Sequence, residues 1–328
     1  MVDRGLLYRE WKQNQVVIVL SIVFLVLANP LTIYHSYSLN ESCLAHSDPK
    51  LCAFFVDYHI DSMIQINWVI GIILAVCLVG LERSRGTMDF LLGLPYKRSQ
   101  IFQTKFWLGA VVLVLSQLVG FLLAWLLILF LKPEQVNFFE HGSIGVMITS
   151  IMFYSLVMAA GTLTGNAFAQ LLTAFATSVL PYLIIVLPFS NIEIISGIQI
   201  WKMLPNVEYY FDFENNLMDF SPIAYVDSSW VAESKYLLLI PAVMSILFYF
   251  IAYISFIKHH NERNGYFFLW KTLDRPIQIL VIVLGILGFG IVGHSAGESI
   301  AGYIIGMIIG GIVGFLISYF SIFKKVRH

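Results

Sequence analysis

Eight long apolar runs, separated by stretches where polar and charged side chains collect, set the pattern of this chain. They are Val16–Tyr34, Met63–Gly80, Phe106–Leu131, Ser143–Gly165, Phe168–Phe189, Tyr236–Ile257, Ile277–Gly293 and Ile300–Phe323. Each is long enough to cross roughly 30 Å of hydrocarbon as a helix, with the seventh near the short limit. The pattern predicts an all-α, polytopic membrane protein of about eight transmembrane helices. The first run is followed by no small-residue cleavage site, so it is expected to remain as a span and not to be removed as a signal peptide.

Charge then orients the spans. With successive segments on alternating sides, one side collects Arg4, Arg9, Lys12, Arg83, Arg85, Lys97, Arg98, Lys105, Lys258, Arg263, Lys271, Arg275, Lys324, Lys325 and Arg327. The other receives only Lys50, Lys132, Lys202 and Lys235, so 15 of the 19 cations share a side. Cytoplasmic loops collect Lys and Arg, and both termini are therefore expected in the cytoplasm. Composition agrees with a membrane protein: 59% of the residues are hydrophobic and 12% charged. A net charge of −1, segregated by side, leaves no basic patch for nucleic acid.

The cytoplasmic stretch from Leu81 to Lys105 is the densest in signals. Thr87 is placed to cap a short helix, Asp89 favours its first turn, and Met88, Leu91 and Leu92 form one apolar stripe. Leu94-Pro95 closes it, and a second helical start is expected at Ser99. Such a helix, flanked by cations, could rest on lipid or fill a groove in a soluble partner.

Here the sequence resembles a family. The run Glu82-Arg83, Gly86-Thr87, Leu91-Leu92, Pro95, then Arg98-Ser99-Gln100-Ile101 and Lys105, is similar to the cytoplasmic loop of ABC-2-type permeases. That resemblance implies a coupling helix docked on a nucleotide-binding subunit. Glu82 and Arg83 would frame the loop around Gly86 and Thr87, Met88, Leu91 and Leu92 would enter a groove of the ATPase, Pro95 would end the helix, and Arg98 would orient its exit. The layout is compatible with that family's six-helix domain over 16–257, with outer loops 36–62 and 191–235; the residues themselves add an interfacial elbow over 1–15 and a connector over 258–276, and the C-terminal pair over 277–328 goes beyond the family's common six-span pattern. Re-entrant or interfacial helices are implied just before the sixth span, with an ordered aromatic cap at headgroup level as the alternative.

Other residues carry weaker signals. Cys43 and Cys52 share an outer loop where a disulfide is chemically permitted, the alternative being two free thiols. Thr162, Asn166, Gln170, Thr173 and Thr177 surround the short connection between the fourth and fifth spans. They could line a polar path, although membrane hydroxyls often bond their own helix. Pro181 and Pro188 are candidates to kink the fifth span. Gly302, Gly306, Gly310 and Gly314 recur at every fourth position, a strip expected to pack closely on a neighbouring helix or subunit. His259 and His260, without further ligands at suitable spacing, make no metal site. The basic, aromatic segment they belong to reads as interfacial, with a second docking surface as the alternative.

No apolar run, bounded as above, holds an Asp, Glu, Lys, Arg or His in its interior, and the chain has no G-x-x-x-x-G-K-[ST] phosphate loop. Internal ion coupling generally needs the first and ATP hydrolysis the second. The reading is a non-enzymatic permease subunit in the bacterial plasma membrane, without a cofactor of its own. ATP and Mg would be held by partner ATPases, and a second, similar permease is expected beside it. The alternative is a membrane sensor or scaffold that binds a ligand outside and recruits a cytoplasmic partner.

Overall fold

The computed structural model describes residues 3–46, 52–58, 63–197, 218–227, 238–258 and 265–323. Among them, eight helices are long and apolar enough to cross a membrane. In chain order the elements are α1 (Arg4–Gln13), α2 (Gln15–His46), β1 (Phe55–Asp57), α3 (Ile64–Ser84), α4 (Thr87–Leu92), α5 (Arg98–Leu131), β2 (Gln135–Asn137), α6 (Phe139–Leu163), α7 (Ala167–Ser196), α8 (Leu239–Lys258), α9 (Lys271–Gly297) and α10 (Ile300–Phe323). Outside the helices lies one short parallel ladder, with Phe55, Val56 and Asp57 opposite Gln135, Val136 and Asn137.

The chain divides into two compact units. The first holds the described residues of Met1–Thr162 and Ala224–Lys258, and the second those of Leu163–Ile223 and His259–His328. The fifth span therefore falls with the last two.

In the first unit, α2 runs along α5, and α1, α3 and α8 also pack on α5. Small residues bring α3 and α5 close to α6 as well, because lipid tails give apolar helices little reason to associate and close contact must supply the attraction. A Cβ on Gly71 would stand 2.7 Å from the Ser150 carbonyl oxygen, and one on Gly109 would collide with the Tyr154 ring. The Tyr154 hydroxyl reaches across that gap to the carbonyls of Lys105 and Phe106, 3.1 Å from each. Phe102 and Phe106 of α5 meet Tyr249 of α8, and Phe102 also meets Phe256. At the other end, Ile33, Phe54, Val56, Tyr58, Ile64 and Phe139 bury a second core under the β1–β2 ladder. Burial there pushes the Tyr58 phenol up from its ordinary pKa. Cys43 and Cys52 beside this core are joined by a disulfide, Cα atoms 5.8 Å apart.

In the second unit, α9 and α10 form an antiparallel hairpin turned at Glu298 and Ser299. The pairs Gly285 with Gly310, Phe289 with Gly306 and Gly293 with Gly302 are in backbone contact along it. A Cβ at Gly306 or Gly310 would strike the carbonyl oxygen of Phe289 or Gly285, so the strip at every fourth residue is where this pair closes on itself. Asn191 ties α7 to both. Its Nδ2 donates to the carbonyls of Leu187 (2.6 Å) and Leu287 (3.2 Å), and its Oδ1 accepts from the Tyr303 hydroxyl (2.8 Å).

Several boundaries differ from the sequence reading. α2 continues beyond Tyr34 to His46 as a polar helical extension, and α7 runs through Pro181, Pro188 and Asn191 to Ser196. The expected interfacial character of Phe267 and Phe268 is corrected: both are buried, clustered with Ala169 and Ile322. The Phe267 carbonyl accepts from the Gly165 amide and the Leu269 amide donates to the Leu163 carbonyl, which ties this segment to the α6–α7 connection. His259, His260, the cations of the C-terminal tail and most of the outer segment before the sixth span lie outside the described residues.

Candidate functional site

The loop between α3 and α5 is built by one glycine and two caps. Gly86 adopts φ +73°, a left-handed conformation that a side chain disfavours, so α3 can stop and α4 start within two residues. Gly86 therefore takes the N-cap position expected of Thr87. The Thr87 hydroxyl instead donates to the Glu82 carbonyl at 3.1 Å, covering an open acceptor at the end of α3. Lys97 caps α5, its amide donating to Gln100 Oε1 at 3.1 Å, which starts that helix at Arg98, ahead of the expected Ser99. Arg98 Nη1 reaches the Ile257 carbonyl at 3.4 Å, placing a cation at the C-terminal end of α8. Pro95 is exposed in the turn between α4 and α5.

Behind α4 lies a buried charge cluster. Lys105 Nζ is 2.5 Å from Glu10 Oε2 and 2.7 Å from Glu82 Oε2, and none of the three side chains is more than 2% exposed. Arg9 Nη1 adds a contact to Glu10 Oε1 at 3.3 Å, so two cations balance two carboxylates. Arg83, next in sequence, turns the other way and donates to the Gly161 carbonyl at 2.6 Å, within electrostatic reach of Asp89. Three helix ends are thereby joined behind the loop: α1 through Glu10, α3 through Glu82 and α5 through Lys105. Directly before Glu82, Val76–Leu81 is wound as π-helix, a local widening often found beside functional positions.

Glu82, Arg83 and Lys105, which the sequence places at a membrane boundary, are all buried. α3 and α5 continue past the expected span ends, and their turns carry these groups into the protein's interior. The signal for Glu10 was its spacing from Leu6, since residues four apart share a helix face and a carboxylate on the apolar face of an elbow needs a buried partner. Lys105, at the edge of an apolar run, gave no comparable signal.

The apolar stripe of α4 is divided. Met88 and Leu91 are 1% and 0% exposed, so they seat α4 on its own chain and are not available to a partner. Leu92 is half-buried, and Phe90, 70% exposed and unmarked by sequence reasoning, is the apolar side chain α4 presents outward.

Three of the polar residues near the α6–α7 connection, Thr162, Asn166 and Thr177, bond locally. Thr162 donates to Ala159, and Thr177 donates to Thr173, each to a carbonyl of its own helix. Asn166 caps α7 by accepting from the Ala169 amide at 2.8 Å, and Gln170 is fully buried one turn on. Among the described residues no group of three or more His, Cys, Asp or Glu could hold a metal ion.

The family model described as ABC-2 family transporter protein matches residues 9–259, which leaves α9 and α10 outside it. Over 327 residues the chain is 65% identical to a Bacillus subtilis (strain 168) protein described as probable ABC transporter permease YtrC, with all of both chains covered. It is 50% identical over 329 residues to one from the same organism described as probable ABC transporter permease YtrD, covering all of this chain and 99% of the relative. No solved structure matches.

Proposed function

The chain belongs to the ABC-2 family of transporter permeases, and on that premise we propose that it is one half of a membrane conduit driven by separate ATPase subunits through α4. Membership makes it the multi-pass membrane subunit of an ABC transporter, from a family whose membrane subunits carry no catalytic activity. The finer reading concerns how force enters. The observation that carries it is the pairing of an outward Phe90 with a rigid seat, Met88 and Leu91 below and the Glu10–Lys105–Glu82 cluster behind. A short helix so braced passes a push from a partner into α1, α3 and α5 together, whereas a helix resting on lipid needs no charged brace. An exposed aromatic beside Asp89 and Arg85 suits a groove in a soluble partner.

The 15 cations on one side support a cytoplasmic setting for α4, α1 and both termini, where ATP is available. Two similar permeases of one organism at 65% and 50% identity support a second, related permease as the other half.

Co-expression with the ATPase tests the proposal. Purification through the permease should retain the ATPase, and Phe90→Asp should release it without loss of the folded chain. Equal retention by Phe90→Asp and the parent would remove α4 as the docking element.

A further inference from the structure

The outward face of α1 carries an arrangement the transport reading does not use. Leu7 and Trp11 open one end of an apolar groove of about 620 Å³ between α2 and α5. Along α5 it is lined by Trp107, Val111, Leu115 and Val119, four positions at every fourth residue and 46–57% exposed. From Trp107 to Val119 the helix rises about 18 Å. That approximates half of a hydrocarbon layer of roughly 30 Å, the depth of one leaflet. The groove ends at the next residue: a Cβ on Gly120 would stand 2.8 Å from the Leu25 carbonyl oxygen, so α2 and α5 are in backbone contact there.

The helix that carries Leu7 and Trp11 also carries exposed cations, while Asp3 at its start is engaged as the cap of the Gly5 and Leu6 amides. Leu6 and Glu10 turn inward, which fixes the face that α1 shows to its surroundings. Arg4, Leu7 and Trp11 follow helical spacing on that outer face, with Lys12 beside Trp11, and both Arg4 and Lys12 are exposed. Two tryptophans, Trp11 and Trp107, line the same groove, the residue type enriched at headgroup level.

We propose that this groove binds an anionic phospholipid, one acyl chain lying along Trp107–Val119 and the phosphate group held by Arg4 and Lys12. The lining is apolar apart from Ser116, its depth is that of one leaflet, and the helix at its mouth carries exposed cations. A helix from another subunit crosses the whole bilayer and is not accommodated by a groove that stops halfway. The inference rests on the membrane placement of the spans alone, so it stands whether or not α4 is the coupling element.

Native mass spectrometry of the full-length chain, incubated in detergent with equal amounts of phosphatidylglycerol and phosphatidylcholine of identical acyl chains, reads the site directly. One phosphatidylglycerol per chain should be retained, preferred about thirtyfold, the effect of two interfacial cations on an anionic lipid. Arg4→Gln with Lys12→Gln should abolish the preference at an unchanged melting temperature, and Leu115→Trp, which fills the groove at an exposed position, should expel both lipids. Equal retention of the two lipids by the parent chain overturns the proposal, as does an unaltered preference in the double variant. Efficient cross-linking of Leu115→Cys to a second copy or to a sister permease would assign the groove to a protein neighbour and overturn it equally.

Discussion

Lys105 and Glu10 lie 95 positions apart in sequence and meet with Nζ 2.5 Å from Oε2, both fully buried. The contact fixes the elbow helix to the start of α5, and the second carboxylate on the same ammonium, Glu82, fixes the end of α3. Buried charges are costly when paired and far more costly when left alone. Lys105→Met should therefore destabilise the chain by about 3–5 kcal/mol, since two carboxylates would share Arg9 as their remaining counter-charge. Adding Glu10→Gln and Glu82→Gln should recover most of the loss. Thermal unfolding of detergent-solubilised chain measures both, and a Lys105→Met melt that overlays the parent would show that the cluster does not bear on stability.

Phe90 and Leu91 are neighbours with opposite fates. Phe90→Asp changes an exposed position and should alter stability by no more than about 0.5 kcal/mol, while co-purifying ATPase falls at least tenfold. Leu91→Asp places a charge in a fully buried site and should reduce the yield of folded chain itself. Folded yield and retained ATPase, measured on the same preparations, separate the two roles. A folded Leu91→Asp chain that loses only the ATPase would place the docking surface on the wrong face of α4 in this account.

The spans were legible because a bilayer imposes a minimum length and leaves no alternative to helix. Their ends were less so. Hydropathy stops counting at the first charged residue, yet α3 and α5 continue through Glu82 and Lys105 because these two groups and Glu10, far apart in sequence, meet and neutralise one another. The loop was legible from the cap signal at Thr87 and from Pro95, which cannot continue a helix. Which face of α4 looks outward was not, because Met88, Leu91 and Phe90 are all apolar and only tertiary packing distinguishes them. Asn191 illustrates the same limit: a polar residue after an apolar run reads as loop unless the acceptors and the hydroxyl that satisfy it are known.

The α9–α10 hairpin predicts a graded response to added volume. Gly306→Val and Gly310→Val force side chains into the carbonyls of Phe289 and Gly285, and each should cost at least about 1–3 kcal/mol, the range for overpacking. Gly288→Ala, facing open space, is the matched control and should be close to neutral. Melting temperatures that fall equally at all three positions would indicate a loss of glycine flexibility in place of a lost contact.

Asn191 offers a test of how the second unit is held. Every polar atom of its side chain is engaged: Nδ2 with the carbonyls of Leu187 and Leu287, Oδ1 with the Tyr303 hydroxyl. Asn191→Leu keeps the branching of the side chain at Cγ and removes all three bonds, leaving the Tyr303 hydroxyl buried without its acceptor. Interhelical hydrogen bonds in membrane proteins contribute about 0.6 kcal/mol each and rarely above about 1.7. The expected loss is thus about 1–3 kcal/mol for Asn191→Leu and about 0.6–1.7 for Tyr303→Phe. Because the two share one bond, the double variant should lose less than the sum, and the shortfall measures their coupling. Strict additivity in detergent unfolding would mean that α7 and α10 are held together by packing, with the Asn191–Tyr303 bond adding nothing to the association.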